Sequence, residues 1–135
     1  MGWHRRAPLA FPGMDARDAA LVIALGRVGI GATLLVSPVA INRGWVGDDA
    51  ARPGARVLGR AVGARDLALG LGAILALRGS SPARPWLVAG ALADFGDLGA
   101  TLGERRALPR SGLLGVGALA GGSALLGAWL ARAVD

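Results

Sequence analysis

"WLVAGALADFGDLGATL", residues 86–102, decides how the chain is read. Apart from Asp94, Asp97 and Thr101 it holds only apolar residues and glycine. Such a run is either the core helix of a soluble bundle or a membrane span, and both settings must accommodate two carboxylates. At 1.5 Å per residue the run reaches only about 25 Å, short of the roughly 30 Å hydrocarbon core of a bilayer. Three further runs have the same character: residues 19–38, 57–77 and 112–131. Each approaches the roughly 20 residues that a span requires.

These four windows take up most of the 135 residues. The chain is 53% hydrophobic with a mean hydropathy of +0.51, more apolar than an ordinary soluble domain of this length. Residues 1–15 form an N-terminal tail, and residues 16–135 form one domain with no room for a separate soluble unit. Helices of a soluble bundle carry a broad polar face, and the run 112–131 has almost none. The expected fold class is therefore all-α, a four-helix transmembrane bundle, multi-pass in the cell membrane with the lipid bilayer as its partner.

The net charge of +6 comes from arginine alone, since the chain has no lysine. Most arginines stand near the ends of the runs, where membrane proteins place basic residues against lipid headgroups. No basic patch interleaved with aromatics appears, so no nucleic-acid partner is expected. The chain has no cysteine and a single histidine, His4 in the tail. Disulfides, thiolate chemistry and a histidine- or cysteine-based metal site are therefore excluded. No cofactor and no metal is implied.

Arg5 and Arg6 before an apolar stretch imitate a signal peptide, but Asp15, Arg17 and Asp18 intervene and the following run contains Arg27. The reading is a retained first span. Pro38 is expected to end that span, and Trp45 fits an interfacial anchor. The stretch 46–56, "VGDDAARPGAR", is the longest connection. Loop arginines divide six to six between the two sides, so the positive-inside rule assigns no orientation. A fixed topology and a dual topology with antiparallel homodimers both remain open.

Inside the runs, Arg27, Arg60 and Arg65 match Asp66, Asp94 and Asp97 in number. An isolated charge at mid-bilayer costs several kcal/mol, on the order of 2.5–3.5 on insertion scales, so such groups face inward and pair. At about 100° per residue, Gly90, Asp94, Asp97 and Thr101 fall within about 60° of one another. Gly59, Gly63, Asp66 and Gly70 form a second stripe of the same spacing. Arg27 shares its face with Ala20, Ala24, Gly31 and Leu34. Arg60, near its segment's end, is placed to snorkel, and Arg65 points about 100° away from Asp66. The expected polar network and candidate binding set is thus Arg27, Arg60, Arg65, Asp66, Asp94, Asp97 and Thr101. The expected packing glycines are Gly59, Gly63, Gly70 and Gly90, with Gly117 and Gly121 in the last run. That last pair reads as intramolecular packing, with a homodimer face as the alternative.

"LGRAVGARDLALGLGAILAL" and "ALADFGDLGATL" resemble a group of small bacterial and fungal four-helix membrane proteins catalogued as a domain of unknown function. "IALGRVGIGATLLVSP" is similar in style to DoxX-like four-helix proteins. The resemblance spans residues 19–131; it implies a compact four-helix fold and carries over no catalytic residue.

The function expected is a small integral membrane protein with a charge-paired interior that binds a small amphiphilic molecule or serves as an accessory subunit. A small ion- or proton-coupled transporter working as a dimer, with Asp94 and Asp97 in coupling, is the first alternative. A membrane isomerase or cyclase using an aspartate as acid on a lipophilic substrate is the second. Phosphate-binding loops and nucleophile elbows are absent from the sequence.

Overall fold

The structure is a computed structural model that describes residues 13–134. Trp3, His4, Arg5, Arg6 and Asp135 lie outside the described residues. Every regular element among the described residues is helical: α1 (Ala16–Val36), α2 (Pro38–Val46), a 3-10 turn (Gly47–Ala51), α3 (Pro53–Arg78), α4 (Arg84–Gly103) and α5 (Arg110–Ala133). The four long helices coincide with the four apolar runs to within a few residues. The 86–102 run is part of a 20-residue helix, which spans about 30 Å and is not short for a bilayer.

Local chemistry sets the boundaries. The Asp15 carboxylate accepts the Asp18 N–H at 2.8 Å and caps α1. At the other end the Ser37 N–H returns to Thr33 O at 2.7 Å. Pro38 then opens a second helix, where a missing N–H and a preset φ are assets. Residues 38–46, expected as the close of the first span and the start of a connection, are therefore a fifth helix. Gly47, at φ +68°, takes the left-handed turn that ends it. Arg17 on α1 donates from Nε (2.9 Å) and Nη2 (2.5 Å) to Leu77 O in the last turn of α3. It satisfies a carbonyl left without a helical partner and sets a cation at the negative end of the helix dipole.

The long helices pack as two intimate pairs, α1 against α3 and α4 against α5. A Cβ at Gly31 would stand 2.6 Å from Leu67 N and 2.7 Å from Gly63 O. One at Gly70 would stand 2.8 Å from Ala24 O. The backbones of α1 and α3 thus touch directly, which only glycine permits. Gly59 lies beneath the Asn42 amide of α2. The two stripes expected from spacing, Ala20-Ala24-Gly31-Leu34 and Gly59-Gly63-Asp66-Gly70, are buried on α1 and α3.

In α5 the expected packing motif fails. A Cβ at Gly117 would meet nothing within 4 Å, and one at Gly121 would touch only Leu98 Cδ2 at an ordinary 3.7 Å. The close approaches of α5 are made elsewhere: at Gly127, where a Cβ would lie 3.4 Å from Ala91 Cβ, and at Gly112, where it would collide with the Trp45 carbonyl.

Where α1 and α4 begin and α3 and α5 finish, Ala20, Leu77, Ala83, Leu87, Leu130 and Ala131 close an apolar plug. At the opposite end α2 packs against α1, α3 and α5. The outer faces of the long helices are largely apolar, with Leu25, Leu75, Leu92, Phe95, Leu114 and Leu125 exposed, and the exposed Arg56 and Arg60 stand in the first turns of α3. Among the described residues α1 and α5 are the two helices long and apolar enough to cross a membrane, by length and composition. Helices α3 and α4 are comparably long but carry inward-turned charges.

Candidate functional site

Arg27, near the middle of α1, organises the interior. Its Nη1 donates to Asp66 Oδ1 of α3 at 3.0 Å, and its Nη2 to Asp94 Oδ2 of α4 at 2.5 Å. Nη2 also reaches Gly90 O at 3.2 Å. A Cβ on Gly90 would stand 3.3 Å from that nitrogen, so this glycine serves to seat a guanidinium. The Arg27 side chain is 11% exposed, as are those of Asp66 and Asp94. A fork of fixed donors bridges two helices from a third, a task that suits arginine and not lysine.

Arg65 does not stay on its own side of α3. Its side chain folds across to α4 and grips Asp97 with both terminal nitrogens, Nη1 to Oδ1 at 2.9 Å and Nη2 to Oδ2 at 2.7 Å. Its Nε and Nη2 also donate to Asp66 Oδ1 at 3.2 and 3.1 Å. The pair with Asp97 is a bidentate, charge-assisted contact. The helical angle separates the Cβ positions of residues 65 and 66, but a long arginine covers that distance easily. Arg27, Arg65, Asp66, Asp94 and Asp97 therefore form one continuous cluster linking α1, α3 and α4.

Arg60 is not in it. It is exposed, and its Nε donates to Leu35 O at 3.2 Å. The expected three-to-three balance is accordingly corrected to two guanidinium groups against three carboxylates, a formal charge of −1. Thr101, fully buried, takes part by another route. Its hydroxyl donates to Asp97 O at 2.7 Å and accepts the Trp45 indole N–H at 3.1 Å. Trp45, expected at the membrane interface, is thus turned inward and ties α2 to α4.

A cavity of about 250 Å³ opens beside the cluster. All five helices contribute to it: Ile30 and Arg27 from α1, Trp45 and Asn42 from α2, Val62 and Asp66 from α3, Asp94 and Asp97 from α4, and Val116 and Ser123 from α5. The walls are mostly apolar, and the charged lining residues, Arg27, Asp66, Asp94 and Asp97, all belong to the cluster of α1, α3 and α4. Asp94 Oδ1 and Asp66 Oδ2 accept no hydrogen bond from the described residues, yet no fully buried side-chain oxygen or nitrogen among them lacks a partner. These two oxygens are consequently accessible, and both residues line the cavity. Sequence reasoning missed Asn42 and Ser123 as lining residues. Asn42 lay in a stretch read as connection, and Ser123 is one polar residue in a glycine-rich run. Each aspartate of the cluster is turned onto an arginine, and no group of three or more acidic or histidine side chains among the described residues is placed to hold a metal ion.

No family model matches the chain, and neither a curated protein nor a solved structure matches it.

Proposed function

We propose that the chain is a multi-pass membrane protein in which the four long helices cross the bilayer as a bundle and the interior cavity binds a small amphiphilic molecule. The cavity carries this reading: about 250 Å³ of mostly apolar wall with charged groups of one cluster in its lining. A cavity of about 150 Å³ takes a benzene molecule, so this one suits a ring with a short polar-ended chain, about ten non-hydrogen atoms. The membrane setting is supported by the largely apolar outer faces of the long helices, where the exposed arginines of α3, Arg56, Arg60 and Arg78, stand toward the helix ends. It is supported too by the pairing of Arg65, Asp66, Asp94 and Asp97 away from those faces. All three carboxylates are engaged by arginine, which favours binding over acid–base turnover or proton coupling.

The membrane part is tested with single cysteines in this cysteine-free chain. With four spans, Asp48→Cys in the 3-10 turn and Ser80→Cys between α3 and α4 must label from opposite faces of a sealed vesicle with an impermeant maleimide. Labelling of both from the same face defeats the four-span arrangement. The cavity part is tested in phosphatidylcholine nanodiscs with 3-phenylpropanol and 3-phenylpropylammonium, following tryptophan fluorescence. At least one should give a saturable change that is lost in Trp45→Phe and in the cavity-filling variant Ala120→Phe. Absence of saturation with both probes rules out the amphiphile site.

A further inference from the structure

Resting on the reading of the cavity as an amphiphile site, we infer that its ligand is a small organic cation: an ammonium group on an apolar stem, whose charge completes the cluster of Arg27, Arg65, Asp66, Asp94 and Asp97. The first ground is the charge of the cluster. Two guanidinium groups face three carboxylates, and Arg60, the residue that would have balanced them, is bound to a backbone carbonyl on the outside. A net negative charge enclosed by apolar helices is expensive unless a counter-charge meets it.

The second ground is geometric. Asp66 and Asp94 are 8% and 7% exposed as whole residues. Each has one oxygen committed to arginine and one without a hydrogen bond. Both residues line the same cavity. Two carboxylates, each with one oxygen free to accept a further donor, therefore belong to the lining of a space large enough for an organic molecule. An ammonium supplies three N–H donors and one positive charge, and Trp45, Ile30 and Val116 supply apolar wall for its stem.

Other ligand charges fit less well. An anion would find both guanidinium groups already occupied and would add to the negative excess. A hard metal cation takes about six or more oxygen ligands, whereas two free carboxylate oxygens are on offer in a mostly apolar space. A neutral amphiphile fits the walls but leaves the excess charge to be cancelled by a proton. That case is separated by experiment.

The test compares three probes of nearly equal size at pH 7 in phosphatidylcholine nanodiscs: 3-phenylpropylammonium, 3-phenylpropanol and 3-phenylpropanoate. The ammonium should bind at least tenfold more tightly than the alcohol, and the carboxylate more weakly than both. In Asp94→Asn the cluster is balanced at two against two and one of the two cavity-lining carboxylates is neutral, so the ammonium preference should fall below about threefold. Saturable binding of the alcohol equal to or tighter than that of the ammonium overturns the cation assignment and leaves the amphiphile cavity standing. Tightest binding by the carboxylate overturns it as well. If none of the three saturates, the cavity reading fails and the cation assignment with it. Should Asp94→Asn not fold, because Arg27 loses its charged partner on α4, the order of the three probes on the parent protein decides the assignment alone.

Discussion

Arg27→Leu is expected to lower stability by about 3–5 kcal/mol, the range for removing one partner of a buried ion pair. The reason lies in what is left behind. Asp66 and Asp94 lose their shared donor, and a cluster of two positive and three negative groups becomes one against three. Leucine replaces most of the methylene stem, so the loss comes mainly from the two carboxylates left facing the emptied guanidinium seat. The same interaction joins α1 to α4 as well as to α3, so the effect should appear as cooperative loss of the whole helical assembly. Arg65→Leu is expected to cost less, because that side chain is 32% exposed and retains partial access to solvent. Arg27→Leu combined with Asp94→Asn restores the original excess of one negative charge and should recover part of the loss. Unfolding by dodecyl sulfate in mixed micelles, run as a double-mutant cycle, measures all four proteins. An Arg27→Leu protein as stable as the parent would show that the cluster does not hold the helices together.

Gly31→Val is the second large effect. The first atom of any side chain at Gly31 lands against the Leu67 amide and the Gly63 carbonyl, both backbone. A flexible neighbour can yield a few tenths of an ångström, but two helix backbones in contact cannot without separating. Overpacking of a core commonly costs about 1–3 kcal/mol, and here the obstacle is rigid on two sides, so the upper end of that range or more is expected. Gly29→Ala is the matched control on the same helix. Its Cβ meets nothing within 4 Å, and the change should be neutral or stabilising by up to about 1 kcal/mol through helix propensity. Thermal melting in detergent distinguishes the two. Equal melting of Gly31→Val and the parent would contradict the direct backbone contact of α1 with α3.

Much of this arrangement was legible before any coordinates. A charge near the middle of an apolar run that an opposite charge on another run can meet marks the inward face, because pairing offsets the cost of its burial. Arg27, Asp66, Asp94 and Asp97 therefore identified the buried sides of α1, α3 and α4, and small residues at helical spacing around them extended each stripe. Gly90 was found this way, although its task of seating the Arg27 guanidinium was not. In α5 no charge precedes Arg132 after the first residue of the helix, and glycines are so frequent that Gly117 and Gly121 were as good a motif as any other. The contacts that matter, at Gly112 and Gly127, have no distinguishing local signal. Helix α2 was hidden for a different reason: nine residues beginning with proline read equally well as a stop or as a start, and packing against α1, α3 and α5 decides between them.

Sequence alone determined the all-helical character, the four long helices and three of their inward faces. Those follow from period and polarity, which act within a few turns of one chain segment. Tertiary structure alone decided which arginine joins the cluster, since long side chains on neighbouring positions can reach inward or outward and only the placement of α4 draws Arg65 to Asp97 while Arg60 stays outside. It also decided the inward turn of Trp45 onto Thr101 and the cavity itself. A void is the volume that side chains from five helices fail to fill, and no single segment contains that information.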